Sequence, residues 1–466
     1  MFLIEAILGK SNPYLGVFTY MVYPALLLFG LLLMPAGAYL ERRRRVKFGE
    51  LPPYPQIDLN DSRTRAIFFF IIASAVVLLG LISTVSYRAY QFTDSVAFCG
   101  ELCHSVMNPE YTAYQASPHS RVTCAECHVG PGATWYVRSK LAGAYQIYSV
   151  LFHKYPRPIP TPIENLRPAQ ETCEQCHWPQ HFFNEKQHEN SYFLSDEHNT
   201  KWNLNLLMRI GGGNSEAGPT SGIHWHMNIA NEVTYAPLDT QRMVIPWVKV
   251  KNREGIERVY RSTEIEVTDE ELASIPTRRM DCIDCHNRPT HIYHPPAQSV
   301  NHVMALGWID PGLPSIKGIA VEALERLYTT KKVALDSIKT IVTEYYQQNY
   351  PDMVTAKAPA IERAITELQT IYKRNYFPEM QASWKQFTNN IGHLYYPGCF
   401  RCHDGKHVSD DGTVLSKDCN LCHTILAQQF EKDKLRLSLG GIDYRHPVDI
   451  GDAWKEMNCS DCHSNQ

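Results

Sequence analysis

The chain has 466 residues, 45 Lys+Arg against 48 Asp+Glu, a net charge of −3 and a pI near 6.7. With 44% hydrophobic and 20% charged residues it is neither disordered nor low-complexity, and without a basic surplus it does not read as a nucleic-acid binder. Length alone suggests about three domains, but 14 cysteines and 20 histidines are an unusual inventory that decides the reading.

The chain opens with a short tail, 1–13, followed by two apolar segments, 14–40 and 66–88, uncharged from 15 to 40 and from 66 to 87. A helix rising 1.5 Å per residue needs about 20 apolar residues to cross a hydrocarbon layer of about 30 Å, so both segments predict transmembrane helices. Pro24 and Pro35 can kink the first helix without excluding it. Ala36-Gly37-Ala38 imitates a signal-peptide cleavage site. A signal peptide, however, carries its positive charge ahead of the apolar run, and here Arg42-Arg43-Arg44-Arg45 comes after it, which favours an uncleaved anchor. The loop 41–65 holds those arginines with Lys47, Arg63 and Arg65, so the positive-inside rule makes it cytoplasmic. The tail and everything beyond residue 88 then lie outside, in the periplasm of a bacterium.

Every cysteine belongs to a pair that a histidine follows at once. The first pair is Cys99 and Cys103 with His104, three residues between the thiols. Six with two residues between follow: Cys124/Cys127-His128, Cys173/Cys176-His177, Cys282/Cys285-His286, Cys399/Cys402-His403, Cys419/Cys422-His423 and Cys459/Cys462-His463. C-x-x-C-H is the attachment signature of c-type haem. Two thiols one turn apart reach the two vinyl groups on one haem edge, and the next residue sets its imidazole under the iron. A zinc site does not need a histidine after each pair, and neither does a thioredoxin-like or disulfide pair. The wider first pair still lies on one helix face at i, i+4.

Seven covalent haems leave too little chain for a domain each, so the cofactors must supply much of the core. The expected fold is mainly α with much irregular structure. Two N-terminal transmembrane helices precede a periplasmic multihaem cytochrome c domain with a small β-hairpin. A trihaem region, 89–200, leads into an insertion, 201–275, and a C-terminal tetrahaem region, 276–466. The hairpin is expected from residues 244–250 and 256–260 around the turn Asn252-Arg253-Glu254-Gly255. Apolar periodicity over 321–346 and 361–372 predicts an amphipathic helix pair. Pro156, Pro158, Pro160 and Pro162 make a stiff extended linker.

Seven histidines are proximal ligands, and an electron-transfer haem usually takes a second axial ligand. Seven of the remaining thirteen are candidates. His119, His393 and His446 each precede a motif. His224 and His226 flank Trp225, and alternate positions of an extended segment share a face. His291 follows motif four too closely to reach back to it and would serve another haem. His407 sits four residues after His403. Met107, three residues after His104, reads equally as an iron ligand or a packing residue.

Further residues carry a resemblance: the stretch from Cys99 to Met107, Tyr111-Thr-Ala-Tyr114-Gln, His119, Cys124-Ala-Glu-Cys127-His128 and Ser139-Lys140-Leu-Ala-Gly-Ala-Tyr-Gln146. From the second anchor to about Phe183 the chain resembles the NapC/NirT family of membrane-anchored, quinol-oxidising multihaem cytochromes. With its seven motifs and Gly398-Cys-Phe-Arg-Cys-His-Asp-Gly405 it looks closest to the ImcH-like inner-membrane cytochromes of metal-reducing bacteria. The resemblance implies a first haem at the membrane surface that takes electrons from menaquinol, in a site near Met107. Lys140 matches a quinol-contacting lysine, and Gln146 stands where relatives carry an acid. Relatives usually have one anchor, and a Met two residues after the first haem histidine. Independently, Cys99 lies about eleven residues past Arg88, so it is within roughly 40 Å of the membrane edge.

The expected function is a quinol:cytochrome c oxidoreductase that relays electrons to periplasmic c-type cytochromes in anaerobic or extracellular respiration. Its partners are menaquinol, those cytochromes and the lipid bilayer. The alternatives are an anchored relay fed by a separate quinol dehydrogenase, and a terminal oxyanion reductase. The reductase is disfavoured because no motif ends in lysine.

Overall fold

A computed structural model describes residues 23–48, 58–102, 104–129, 133–163, 166–179, 182, 184–211, 222–228, 231–252, 254–430 and 435–464. The expected tail 1–13, the first residues of the first apolar segment and Cys103 lie outside these. The chain divides into two compact units, one reaching Asn108 and including Val122–Val129, the other made of Pro109–Arg121 and everything from Gly130.

The first unit holds helices α1 (Tyr23–Phe48) and α2 (Ser62–Thr93). Asp61 caps α2, its carboxylate accepting the Thr64 N–H at 2.8 Å. α2 is 32 residues long, about 48 Å, and none of its residues is buried. Among the described residues it is the one helix long and apolar enough to cross a membrane. α1 exposes Phe29, Leu32, Met34 and Leu40 ahead of its arginine cluster. A π-helical turn, Ala97–Leu102, follows α2. Helix α3 (His104–Gln115) begins in this unit, and α4 (Ala133–Leu151) belongs to the second.

The second unit is richer in strands than the sequence suggested. The expected hairpin is present as β4 (Trp247–Lys251) and β5 (Glu257–Ser262), antiparallel with Lys251 opposite Glu257. Asn252 Oδ1 accepts the N–H groups of Glu254 and Ile256 at 3.0 and 2.9 Å, and Gly255 takes φ +79° to close the turn. This hairpin forms the centre of a five-stranded sheet with β3 (Glu232–Ala236), β6 (Arg278–Arg279) and β7 (His407–Ser409), in the order β6-β3-β4-β5-β7. Val233, Tyr235, Ile245, Val248 and Tyr260 form its core.

A second sheet was not anticipated. β1 (Glu185–Phe193) and β2 (Lys201–Arg209) make a hairpin extended by β8 (His423–Phe430) and β9 (Arg436–Leu437). Trp202, Leu204 and Ile425 are its buried centre. The small hairpin expected from the sequence is therefore an underestimate.

Between motifs four and five lie α5 (Pro296–Ala305), α6 (Ile316–Glu325), α7 (Lys331–Asn349) and α8 (Ala358–Asn375). α7 buries Ala334, Ile338, Val342 and Tyr346, and α8 buries Ile361, Ala364, Ile365, Leu368, Ile371 and Tyr372, the i, i+3, i+4 stripe of an amphipathic pair. The run 321–346 is not one helix. It breaks at Arg326, and Thr330 restarts it by accepting the Val333 N–H, leaving Leu327 fully exposed.

Candidate functional site

Motifs two to seven sit on single helical turns. In motifs three, four and five the histidine N–H closes onto the first cysteine's carbonyl: His177 on Cys173 at 2.8 Å, His286 on Cys282 at 2.8 Å and His403 on Cys399 at 3.0 Å. That turn holds both thiols and the imidazole in one fixed frame. Asp281 and Asp284 form a capping box around motif four, and Asn458 and Asp461 one around motif seven. Gly398, immediately before Cys399, has φ +52°, and a Cβ there would overlap the Gly392 carbonyl oxygen. In motif one, Cys99 lies in the π-turn, the kind of wide turn that absorbs one extra residue.

Five motif histidines face a second histidine from elsewhere in the chain. His119 stands 6.0 Å from His177 between ring centres, and His224 stands 6.3 Å from His286. His226 is 5.8 Å from His403, His393 is 6.2 Å from His423, and His446 is 6.3 Å from His463. An imidazole bound to iron through Nε2 at about 2 Å puts its ring centre about 3 Å from the metal, so two on opposite faces stand about 6 Å apart. The five spacings fit an iron between each pair.

Three of these rings are oriented by a backbone carbonyl, whereas Nδ1 of His119, His393 and His423 is buried without a partner among the described residues. His224 Nδ1 donates to the Ile210 carbonyl and His226 Nδ1 to that of Ile223, both at 3.0 Å. His403 Nδ1 does so to Ser416 at 3.2 Å. An Nδ1 donor fixes the tautomer and leaves Nε2 as the ligating atom. Burial pushes His393 and His403 down to about 4 and also lowers His224, His226, His286 and His423, so the rings are neutral, the form that binds a metal. Phe400 stacks on His393 at 4.3 Å and Phe182 lies against His224 at 4.4 Å.

The remaining candidates fare differently. His291 Nδ1 donates to the Glu110 carbonyl at 3.0 Å, the same posture as the paired rings. His407 is a correction. It is buried on β7, with Nδ1 on the Asp404 carboxylate at 2.9 Å and Nε2 on the Ile245 carbonyl at 2.8 Å, so neither nitrogen is left for a metal. His224 and His226 are not in an extended segment but in a 3-10 turn, Ile223–Met227, and each goes to a different motif.

Met107 lies on α3, and Lys140 and Gln146 on α4. Lys140 is half-buried and Gln146 exposed; six positions apart, they point about 120° away from each other around the helix. Sequence reasoning also passed over Asp284 and Arg401, charged residues between the cysteines of motifs four and five. The only available signal was a charge between the cysteines, which Glu126, Glu174 and Asp461 share.

The model of the NapC/NirT cytochrome c family, N-terminal region, matches residues 61–159. Over 464 residues the chain is 47% identical to the cytochrome c-type protein ImcH of Geobacter sulfurreducens, covering 99% of this chain and 90% of that protein. No solved structure matches the chain.

Proposed function

Because the chain belongs to the NapC/NirT cytochrome c family, whose members are membrane-anchored electron-transfer proteins with covalently bound haem c, we propose that it oxidises menaquinol and delivers the electrons to periplasmic c-type cytochromes. In this reading α1 and α2 both cross the inner membrane, with Arg42 to Arg45 on the cytoplasmic side and the haem domain in the periplasm. Fourteen cysteines fix seven haems, with His104, His128, His177, His286, His403, His423 and His463 as proximal ligands.

The observation that carries the reading is the set of five imidazole pairs at 5.8–6.3 Å. His119, His224, His226, His393 and His446 are then distal ligands, and His291 serves a further haem. Two protein ligands at each of these five irons leave no open position there for a substrate, which suits electron transfer. Bound haem supplies reversible one-electron chemistry. The chain supplies the ligands, their orientation and a dry surrounding.

Lys140 is the residue assigned to orient the quinol. Each menaquinol gives up two electrons and two protons. Gln146 cannot take a proton, so the protons leave to periplasmic water.

The test uses purified protein in liposomes containing menaquinol, with no other dehydrogenase present. The expected result is rapid reduction of wild type, and a rate at least tenfold lower for Lys140→Ala with an unchanged dithionite-reduced spectrum. Failure of wild type to be reduced would contradict quinol oxidation. An unaffected Lys140→Ala would contradict the site.

A further inference from the structure

Motifs four and five are tied to each other on two sides. Their facing histidines, His224 and His226, sit one residue apart on the same 3-10 turn, opposite His286 and His403 respectively. On the other side the two motif turns are tied directly. Arg401, between Cys399 and Cys402, donates Nη2 to the Asp284 backbone carbonyl and Nη1 to the Arg242 carbonyl, both at 2.8 Å. Asn390 Nδ2 also donates to the Asp284 carbonyl, at 3.0 Å.

At the centre is the Asp284 carboxylate, between Cys282 and Cys285, its side chain 1% exposed. Oδ1 accepts from Tyr235 Oη at 2.7 Å, Arg278 Nε at 2.8 Å and Arg242 Nη1 at 2.9 Å, and Oδ2 accepts the Asp281 N–H at 2.8 Å. Arg278 also pairs with Asp281 at 3.0 Å. Two carboxylates and three guanidinium groups thus meet between two haem-attachment turns. The local dielectric is low there, and a fixed charge acts on a redox centre with little screening.

We propose that motifs four and five form one two-iron redox unit, in which the buried ion cluster around Asp284 sets both reduction potentials together. The proposal rests on the ligand pairing given above. Asp284 acts as a positioning and tuning residue, since it touches the attachment turns and not a reacting atom. Its negative charge favours the oxidised iron, which carries the extra positive charge. The cluster arginines favour the reduced iron.

The sign of the effect separates electrostatics from structure. Potentiometric titration of the intact holoprotein, followed by visible and electron paramagnetic resonance (EPR) spectra, should show two components shifted upward in Asp284→Asn, by about tenfold in the reduction equilibrium, or about 59 mV for one electron. The same two should shift downward in Arg242→Gln, and the other components should stay in place. The two irons are identified as those whose low-spin signals are lost in His224→Ala and His226→Ala. A shift at one iron only, a uniform shift at all irons, no shift, or the same direction in both variants would overturn the proposal. If Asp284→Asn fails to mature, Arg242→Gln alone decides it: lowered potentials at those two irons support it, and unchanged ones overturn it. The ligand pairing fails separately, if His224→Ala and His226→Ala leave every low-spin signal intact.

Discussion

In the helical insert, Leu324, Ile338, Val342 and Leu368 are fully buried by neighbouring side chains, and no attachment motif interrupts α5 to α8. Around the motifs the chain runs in single turns, with Cys176, Cys419 and Cys462 exposed and most of the other cysteines only partly covered. One region makes its core from its own apolar residues. The other provides thiols and imidazoles at fixed spacings and, in the proposed reading, adds haems to the small apolar cores under its two sheets. The two should therefore respond in opposite ways to loss of haem and to loss of apolar volume.

The largest effect is expected from Cys399→Ala with Cys402→Ala, which removes one covalent attachment. Hydrogen exchange should show protection lost over about 390–430 and retained over 296–375. Equal loss in both regions would erase the distinction. Next, Leu368→Ala creates a cavity in the insert and should cost about 2–5 kcal/mol. Denaturant unfolding measures that loss, and the haem absorption spectrum should not change.

A pH effect is expected from Lys317, 2% exposed on α6, its terminal nitrogen donating to the Ala297 carbonyl at 2.5 Å. Burial pushes it down from 10.5 to about 7. Between those values the folded chain holds it neutral while the unfolded chain protonates it. The unfolded state binds the extra proton, so stability rises with pH through this window and is lowest below it. The melting midpoint of the insert should climb from pH 7 towards pH 10, and Lys317→Met should flatten that rise.

The same contrast explains what could be read from the sequence. Attachment chemistry dictates local spacing, so the motifs were legible one by one. So were α7 and α8, whose buried residues recur at i, i+4. The β1-β2-β8 sheet was not, although Trp202-Asn-Leu204-Asn-Leu206 alternates as a strand should. β2 finds its partner β8 more than 200 residues later, with a register shift at Asn205 and Leu206. Distal histidines are a tertiary matter too. His119 precedes motif two yet faces His177 of motif three. His407, four residues after His403, is captured by Asp404 and Ile245, a contact that exists only once β7 joins the sheet.

The central claim is that paired imidazoles hold the irons, and EPR of the oxidised protein tests it most directly. Near-parallel imidazole planes give rhombic low-spin ferric signals, whereas near-perpendicular planes give strongly anisotropic ones. The planes meet at 5° for His224 and His286 and 19° for His393 and His423, but at 74° for His119 and His177 and 81° for His226 and His403. The account predicts both signal types from one chain, each from at least two irons. A spectrum dominated by high-spin iron, or one with a single signal type, would contradict it.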